Sequence, residues 1–456
     1  MPGIVAGYNV NDRVANELGS KERQQRMELI QTYWKYYDGD HKRWLNPNPE
    51  GRDDNVIINL AGRSVDKMQE FVGSPQRIQI AQEDGASDSP AQQRIDDWWT
   101  DYQTDMTEIV QSGLVTGHTF YKLYLDTDDE PAFVMLDPCY IIAFWDILNP
   151  KRTLFYRLEW VQGDNRYRQD IVPDWLLETP KPGFMPIAPV PVTWSIIDYR
   201  AWGQGWRELN KQDWEYPFAP IVDYPIKKRA HNYYGMSMLS GGRAGLNDGV
   251  NFTTSNIGRI LYHHAHPKTF VFGAELDEKG AVGGFWDDLD PEARVETLEM
   301  QSDLASSMNF AGMLKGEFFS GVRVLDTSNI KDKMGQITNF GVRMLFDDQI
   351  EAWEDITQQV GGGLSEVFYR MLIVAGETVE EKPKVIWKDP LPTNRLEKLQ
   401  EAQIEEGLNT TSNKTIAEDI GRNYEAEAQQ RAEEELNAGR ALTNILNFGA
   451  TRGALA

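Results

Sequence analysis

The chain has 456 residues, 41% apolar and 11% aromatic, which is enough to bury a large core and excludes a disordered tail. A single cysteine, Cys139, excludes an internal disulfide framework and any multi-cysteine zinc or iron–sulfur site, and points to a reducing compartment. Seventy acidic residues against 46 basic ones give a formal charge of −24, which argues against a protein that coats nucleic acid through lysine and arginine on phosphates. The chain contains no apolar run of the roughly eighteen residues a membrane span needs and no signal-peptide pattern at its start. A soluble, intracellular protein of roughly three structural units is expected.

In residues 21–37, Met27, Ile30, Trp34 and Tyr37 recur at three and four, predicting an amphipathic helix that stops at Asp38-Gly39-Asp40. After a polar loop, residues 56–72 and 93–115 read as second and third helices, the third with Ile95, Trp98, Tyr102, Met106, Ile109 and Val110 on one side. Between 119 and 224 the pattern changes to short β-rich runs at 120–125, 132–136, 140–145, 154–160 and 221–224, an antiparallel sheet region in an α+β domain. Residues 173–191 carry too many prolines for regular structure.

From 235 to 265 the period is helical again. Leu239, Leu246, Val250, Ile257 and Leu261 are spaced seven, four, seven, four, a narrow stripe suited to a neighbouring helix on a rod of about 45 Å. The same rod holds Gly241, Gly242, Gly245, Gly249 and Gly258, which together cost about 4 to 5 kcal/mol relative to alanine. Close helix approach in an assembly would offset that cost, although Gly241-Gly242 can equally mark the helix start. His266-Pro267 ends the rod, and 268–273 reads as a strand. An acidic loop region through Asp287, Asp288, Asp290 and Glu292 follows, then a helix over 302–318 with Leu304, Met308, Ala311, Leu314 and Phe318 on one face.

Residues 320–336 read as a loop, and 340–372 as one long helix with a kink at Gly361-Gly362-Gly363. A short strand is predicted at 385–387, and 394–436 is an acidic helical pattern.

Catalytic signatures are absent. No phosphate-binding glycine-lysine loop, dinucleotide fingerprint or nucleophile elbow occurs, and Cys139 has no histidine near it in sequence. His263 and His266 sit at the i, i+3 spacing of a shared metal, but as helix-end cations they also complement the macrodipole without one. Asp126, Asp128 and Asp129 resemble the start of a calcium loop that lacks its glycine and terminal glutamate, and read better as a solvated hairpin tip. No metal or cofactor is expected.

Three segments in fixed order resemble the portal proteins of tailed double-stranded-DNA bacteriophages. The first is Tyr36-Tyr37-Asp38-Gly39-Asp40-His41 with the run Asn55 to Asn59. The second is Gly117-His118-Thr119-Phe120-Tyr121-Lys122-Leu123, then Leu136-Asp137-Pro138 and residues 154–160. The third is Tyr234-Gly235-Met236-Ser237 opening a long helix with Asp248 and Asn251, joined later by Trp387-Lys388-Asp389-Pro390-Leu391-Pro392.

The resemblance implies an α+β subunit of a ring of about twelve copies at one capsid vertex, through which DNA is packaged and ejected. It implies a wing over 1–230, stem helices at 235–265 and 302–318, a small α/β clip at 266–301 and a tunnel loop at 319–336. A long wing helix would occupy 337–382 and helical wing-top and crown 383–456. Gly245, Gly249 and Gly258 would pack the stem, Asp287, Asp288 and Asp290 would dock partners at the clip, and Lys331 and Lys333 would meet DNA at the tunnel loop or stay solvated on it. Implied partners are further copies of the chain, duplex DNA, the terminase large subunit, a head-to-tail adaptor, and major capsid and scaffold proteins. The location would be the virion, after assembly in the host cytoplasm. An acidic lumen suits this role, since it repels a duplex carrying one charge per about 1.7 Å and keeps it from sticking. Two other readings stand beside it: another ring-forming virion scaffold, and, from fourteen tryptophans among many carboxylates, a carbohydrate-active enzyme.

Overall fold

The computed structural model describes residues 13–47, 51, 53–80, 89–145, 149, 153–177, 193–203, 205–265, 269–272, 294–297, 304–327, 339–391, 403–404 and 428. The chain divides into two compact units, Met1–Lys333 with Leu345–Pro390, and Met334–Met344 with Leu391–Ala456. Most of helix α8 (Asn339–Leu345) belongs to the second unit. The contacts described below lie within the first. Among the described residues no helix is long and apolar enough to cross a membrane.

Helix α1 (Arg13–Asp38) is followed by an extended segment and α2 (Leu60–Val72). The sequence pattern starts this second helix at residue 56, but Asn59 caps it later: its Oδ1 accepts from Gly62 N at 2.8 Å. The third predicted helix is two, α3 (Pro90–Tyr102) and α4 (Met106–Thr116), separated by a short 3-10 turn. Ser89 caps α3, with Pro90 in its first turn, and α4 ends at Gly117 in the left-handed region.

The three-stranded sheet β3-β2-β9 joins β2 (His118–Leu125), β3 (Pro131–Leu136) and β9 (Ile221–Pro225), all antiparallel. Helix α9 (Asp347–Val374) lies on it and contributes Val360, Leu364, Val367, Phe368, Met371 and Leu372, all fully buried. Phe368 meets the rings of Trp98, Trp99 and Phe133, a burial that stabilises by about 1.5 to 3 kcal/mol for its side chain alone. The tri-glycine predicted to kink this helix does not interrupt it. Gly361 lies against Trp387 and Val385, and a Cβ on Gly363 would sit 2.0 Å from the Tyr224 ring, so these glycines admit neighbours. The single helix predicted over 340–372 instead breaks at Phe346, between α8 and α9.

A five-stranded antiparallel meander follows the order β4 (Ile141–Trp145), β5 (Thr153–Gln162), β6 (Asn165–Pro173), β7 (Trp194–Trp202) and β8 (Gly205–Trp214). Strands β6 and β8 carry no apolar alternation in sequence. In β6 the inward positions hold Arg168 and Asp170 in place of aliphatics, and Arg157 of β5 joins them. Asp170 is fully buried and accepts from Arg157 Nε at 2.8 Å and from Arg168 Nε at 2.9 and 3.0 Å. Strand β8 is an exposed edge whose residues face water along nearly its whole length. The proline-rich stretch opens with α5 (Asp174–Leu177), and 178–192 lie outside the described residues. Two small pairs complete the described sheets: β1 (Arg77–Gln79) with β12 (Lys384–Ile386), and β10 (Thr269–Phe272) with β11 (Arg294–Thr297).

Candidate functional site

The long rod begins only at Arg243: Gly241 and Gly242 have φ of 72° and 88° and form the turn before α6 (Arg243–Ala265). Helix α7 (Leu304–Val322) packs against α6, and the β10–β11 pair lies between them in the chain. Its end overruns the predicted boundary, so Ser320, Gly321 and Val322 are helical and not part of the loop expected from residue 320.

A column of polar side chains fixes α6 to the rest of the unit. Asn247, Asn251 and Ser255 stand one turn apart on one face, each almost fully buried. Asn247 Oδ1 accepts from Leu60 N and Ala61 N at 3.0 and 2.9 Å, and its Nδ2 donates to Ile58 O at 2.8 Å. Asn251 Oδ1 accepts from Ile58 N at 2.9 Å, and Ser255 Oγ from Val56 N at 2.9 Å. The extended segment 56–59 and the first two residues of α2 thus satisfy their backbone on α6 side chains, as a strand does on its neighbour. Beside it Tyr36 donates to Asp248 at 2.6 Å, and Arg259 reaches Asp54 Oδ2 and Asn46 O. Both parts of the first resembling segment, the Tyr36 to His41 and Asn55 to Asn59 runs, therefore converge on the long helix of the third. Asn247 and Ser255 were not singled out from sequence. The available signal was three poor helix formers at i, i+4 and i+8 in a helix interior.

The second and third segments meet where Gly117 crosses Gly235. A Cβ on Gly235 would lie 2.1 Å from Gly117 O, and one on Gly117, whose φ is 85°, would lie 2.5 Å from Ser237 N. Next to this crossing His118 Nδ1 accepts from Gly235 N at 3.3 Å while Nε2–H donates to Asp223 at 2.8 Å. Asp223 also accepts from the hydroxyls of Tyr156 and Tyr233. Burial pushes His118 below its ordinary 6.5 despite the attraction of Asp223. For Asp223 burial acts upward, but the donors from His118, Tyr156 and Tyr233 outweigh it and hold the carboxyl below 3.8.

Both shifts have the same sign for stability. The unfolded chain takes up these protons at higher pH than the folded chain does. The His118 contribution is full above 6.5 and is lost as pH falls towards its lower folded value, and that of Asp223 is lost below 3.8. The urea midpoint should therefore drop between about pH 7 and about pH 5, and His118→Gln should flatten that slope. An unchanged slope in the variant would remove His118 as its cause.

The glycines singled out from sequence differ in surroundings. Gly249 faces Leu314 of α7, with a Cβ placed 3.2 Å from Cδ1, so its close approach is inside one subunit. Gly245 has open space around its Cβ direction, and Gly258 has only an ordinary contact with Val56. Asp287, Asp288, Asp290, Lys331, Lys333 and His266 lie outside the described residues. His263 and His264 fall in the last turn of α6. Among the described residues no group of three histidine, cysteine, aspartate or glutamate side chains is placed to hold a metal. Asp126 forms the tip of the β2–β3 hairpin, its Oδ1 accepting from Asp128 N and Glu130 N. Cys139 is buried, and burial, with Asp137 beside it, pushes its thiol up to about 12, so it is not a thiolate near neutral pH.

Among curated proteins no sequence matched the chain. Solved structures with a similar course include the virion of a native gene transfer agent particle, at 11% identity and TM-score 0.44, covering 86% of this chain and 93% of that one. Others are the neck of the native particle computed with C12 symmetry (11% identity, TM-score 0.42, 79% and 89% covered) and the neck of the empty particle computed with C6 symmetry (11%, 0.47, 80% and 90%). Residues 20–168 match the family model described as phage portal protein, SPP1 Gp6-like, a segment that spans two of the three resembling motifs. Over that segment the chain is similar to the phage portal proteins of this family.

Proposed function

We propose that the chain is the subunit of a closed portal ring of about twelve copies at one capsid vertex, a structural channel for DNA with no catalytic centre of its own. The observation that carries this reading is the family match over residues 20–168. In it, α6 and α7 are the stem, β10 and β11 belong to the clip, and the sheets with α1 to α4 and α9 form the wing. The segment after α7 is the tunnel loop, and 383–456 the wing-top and crown. Support comes from the helix pair itself. It leaves Phe252 and Leu261 of α6 and Met308, Phe310 and Met313 of α7 exposed, apolar surface that a neighbouring copy would cover.

Gly245, open on its own subunit, is the stem glycine best placed to admit a neighbouring helix. Gly245→Leu should leave the unfolding midpoint near that of the parent but prevent ring closure. Electron microscopy and native mass spectrometry of parent and variant test this. The parent should form rings with a duplex-sized hole, and a monomeric parent would overturn the reading. Rings from the variant would remove Gly245 from the interface.

Within this reading Asp287, Asp288 and Asp290 dock the terminase large subunit and then the head-to-tail adaptor through charge that fades with salt. Lys331 and Lys333 touch phosphates transiently as DNA passes. Replacing both lysines by alanine should preserve rings yet change packaging rate or retention of packaged DNA, because a small number of cations grips a polyanion weakly enough to let it slide. In vitro packaging identical to the parent in rate, length and retention would leave them as solvated surface residues.

A further inference from the structure

One cavity of about 330 Å³ has a composition that the channel reading does not use. Its floor is apolar and buried, formed by Leu114, Ile226, Val322 and Ile356 with the half-buried Met236 beside them. Its rim is cationic: Lys227, Lys228, Arg243 and Arg323 all line it, from three separate elements of a chain whose net charge is −24. The Lys227 ammonium has no hydrogen-bond or ion-pair partner within reach among the described residues, and burial together with Arg243 and Arg323 pulls its pKa below the ordinary 10.5 against the attraction of Asp355. Arg243 donates to Met238 O at 3.1 Å, which leaves the rest of its guanidinium uncommitted. The anions on this side, Glu351 and Asp355, stand 3.8 Å from Arg323 and are themselves well exposed, so they neutralise little.

Arg323 adds a second, independent sign. It has φ of 55° and occupies the left-handed position that closes α7, where Arg323 N donates to Ser320 O at 3.2 Å and Val324 N to Phe319 O at 3.2 Å. Glycine takes that position without steric strain, and an arginine held there places a long cation at the cavity at the expense of local backbone comfort.

We propose that this cavity is a docking site for a peptide segment of a protein partner in which a carboxylate is flanked by a large apolar side chain. The apolar side chain fills the floor, and the carboxylate meets Lys227, Arg243 and Arg323. Charge complementarity selects the acid, since the lining sets four cations against a single carboxylate, the exposed Asp355. The apolar floor selects a peptide over a nucleic acid backbone or a free phosphate, neither of which would bury anything against Ile226 and Ile356.

The test uses the full-length chain and three probes in calorimetric titration, acetyl-Leu-Glu-Glu-Leu-amide, its Gln-Gln counterpart and inorganic phosphate, with a short oligonucleotide added as a competitor. The acidic peptide should bind saturably and at least about tenfold more tightly than either of the others. Lys227→Gln, an exposed change, and Arg323→Gly should each weaken it by about tenfold, and Arg323→Gly should hold or raise the unfolding midpoint because the cap position is relieved. Absence of binding, equal binding of the neutral peptide, or competition by phosphate or a short oligonucleotide at equal strength would overturn the proposal. So would unchanged binding in Lys227→Gln. Loss of binding in Arg323→Gly alone, accompanied by a lowered midpoint, would count as a structural effect and against it.

Discussion

Gly117→Ala should cost about 4 kcal/mol or more, enough to leave little folded protein in a chain of ordinary stability. The cost has two parts. Left-handed geometry at φ 85° is worth about 1 to 2 kcal/mol for any residue with a Cβ. The rest is steric, because the new methyl meets Ser237 N at 2.5 Å and Met236 C at 2.6 Å, and both are backbone atoms with no rotamer to yield. Moving them apart breaks the bonds that seat this crossing: Ile226 N to Gly117 O at 3.0 Å, Met236 N to Lys227 O at 2.9 Å and Met238 N to Leu114 O at 2.9 Å. Gly203→Ala is the matched control, since Gly203 has φ of 60° with nothing within 4 Å of the added atom. It should show the conformational part alone. Denaturant midpoints of the two variants measure the difference, and equal losses would show that the crossing tolerates separation. Because Gly235 leads through Met236 and Ser237 towards α6, surviving Gly117→Ala protein should also lose protection of the α6 amides to hydrogen exchange.

Asn247→Leu should be the most damaging change in the polar column of α6, at about 2 to 4 kcal/mol. The leucine matches the asparagine in size but leaves the Ala61 N–H with no acceptor, and the Leu60 N–H and Ile58 carbonyl with only each other. Leu60 and Ala61 are buried, so water cannot replace the acceptor their amides lose. Ser255→Ala, at the outer end where Val56 is partly exposed, removes one acceptor and should cost about 1 kcal/mol. The gradient from Asn247 to Ser255 is the diagnostic. Urea unfolding should reproduce it, and faster amide exchange at Leu60 and Ala61 should accompany the Asn247 variant. Equal losses at the two ends would mean that the column contributes through packing and not through its hydrogen bonds.

Much of this protein was legible because its helices are governed by local periodicity. The stripe from Met27 to Tyr37, the four-seven-four spacing from Leu246 to Leu261 and the apolar face of 350–372 all fall in observed helices, since a 3.6-residue repeat is written into consecutive residues. The order of three weak motifs was also legible, and it led to the portal family that residues 20–168 match. Tertiary structure alone decided the elements whose partners are distant. Strand β6 escaped notice because its inward positions are Arg168 and Asp170, and only Arg157, thirteen residues from Asp170, makes their burial tolerable. Strand β8 escaped because an exposed edge needs no apolar alternation. The segment 56–59 read as helix from its apolar residues, yet Asn247, Asn251 and Ser255, nearly two hundred positions later, hold it extended. Likewise Gly361 and Gly363 read as a kink until Trp387 and Tyr224 are seen to occupy the space where their side chains would be. In each case the deciding contact is long-range, and composition and spacing along a chain carry no record of which distant side chain will supply it.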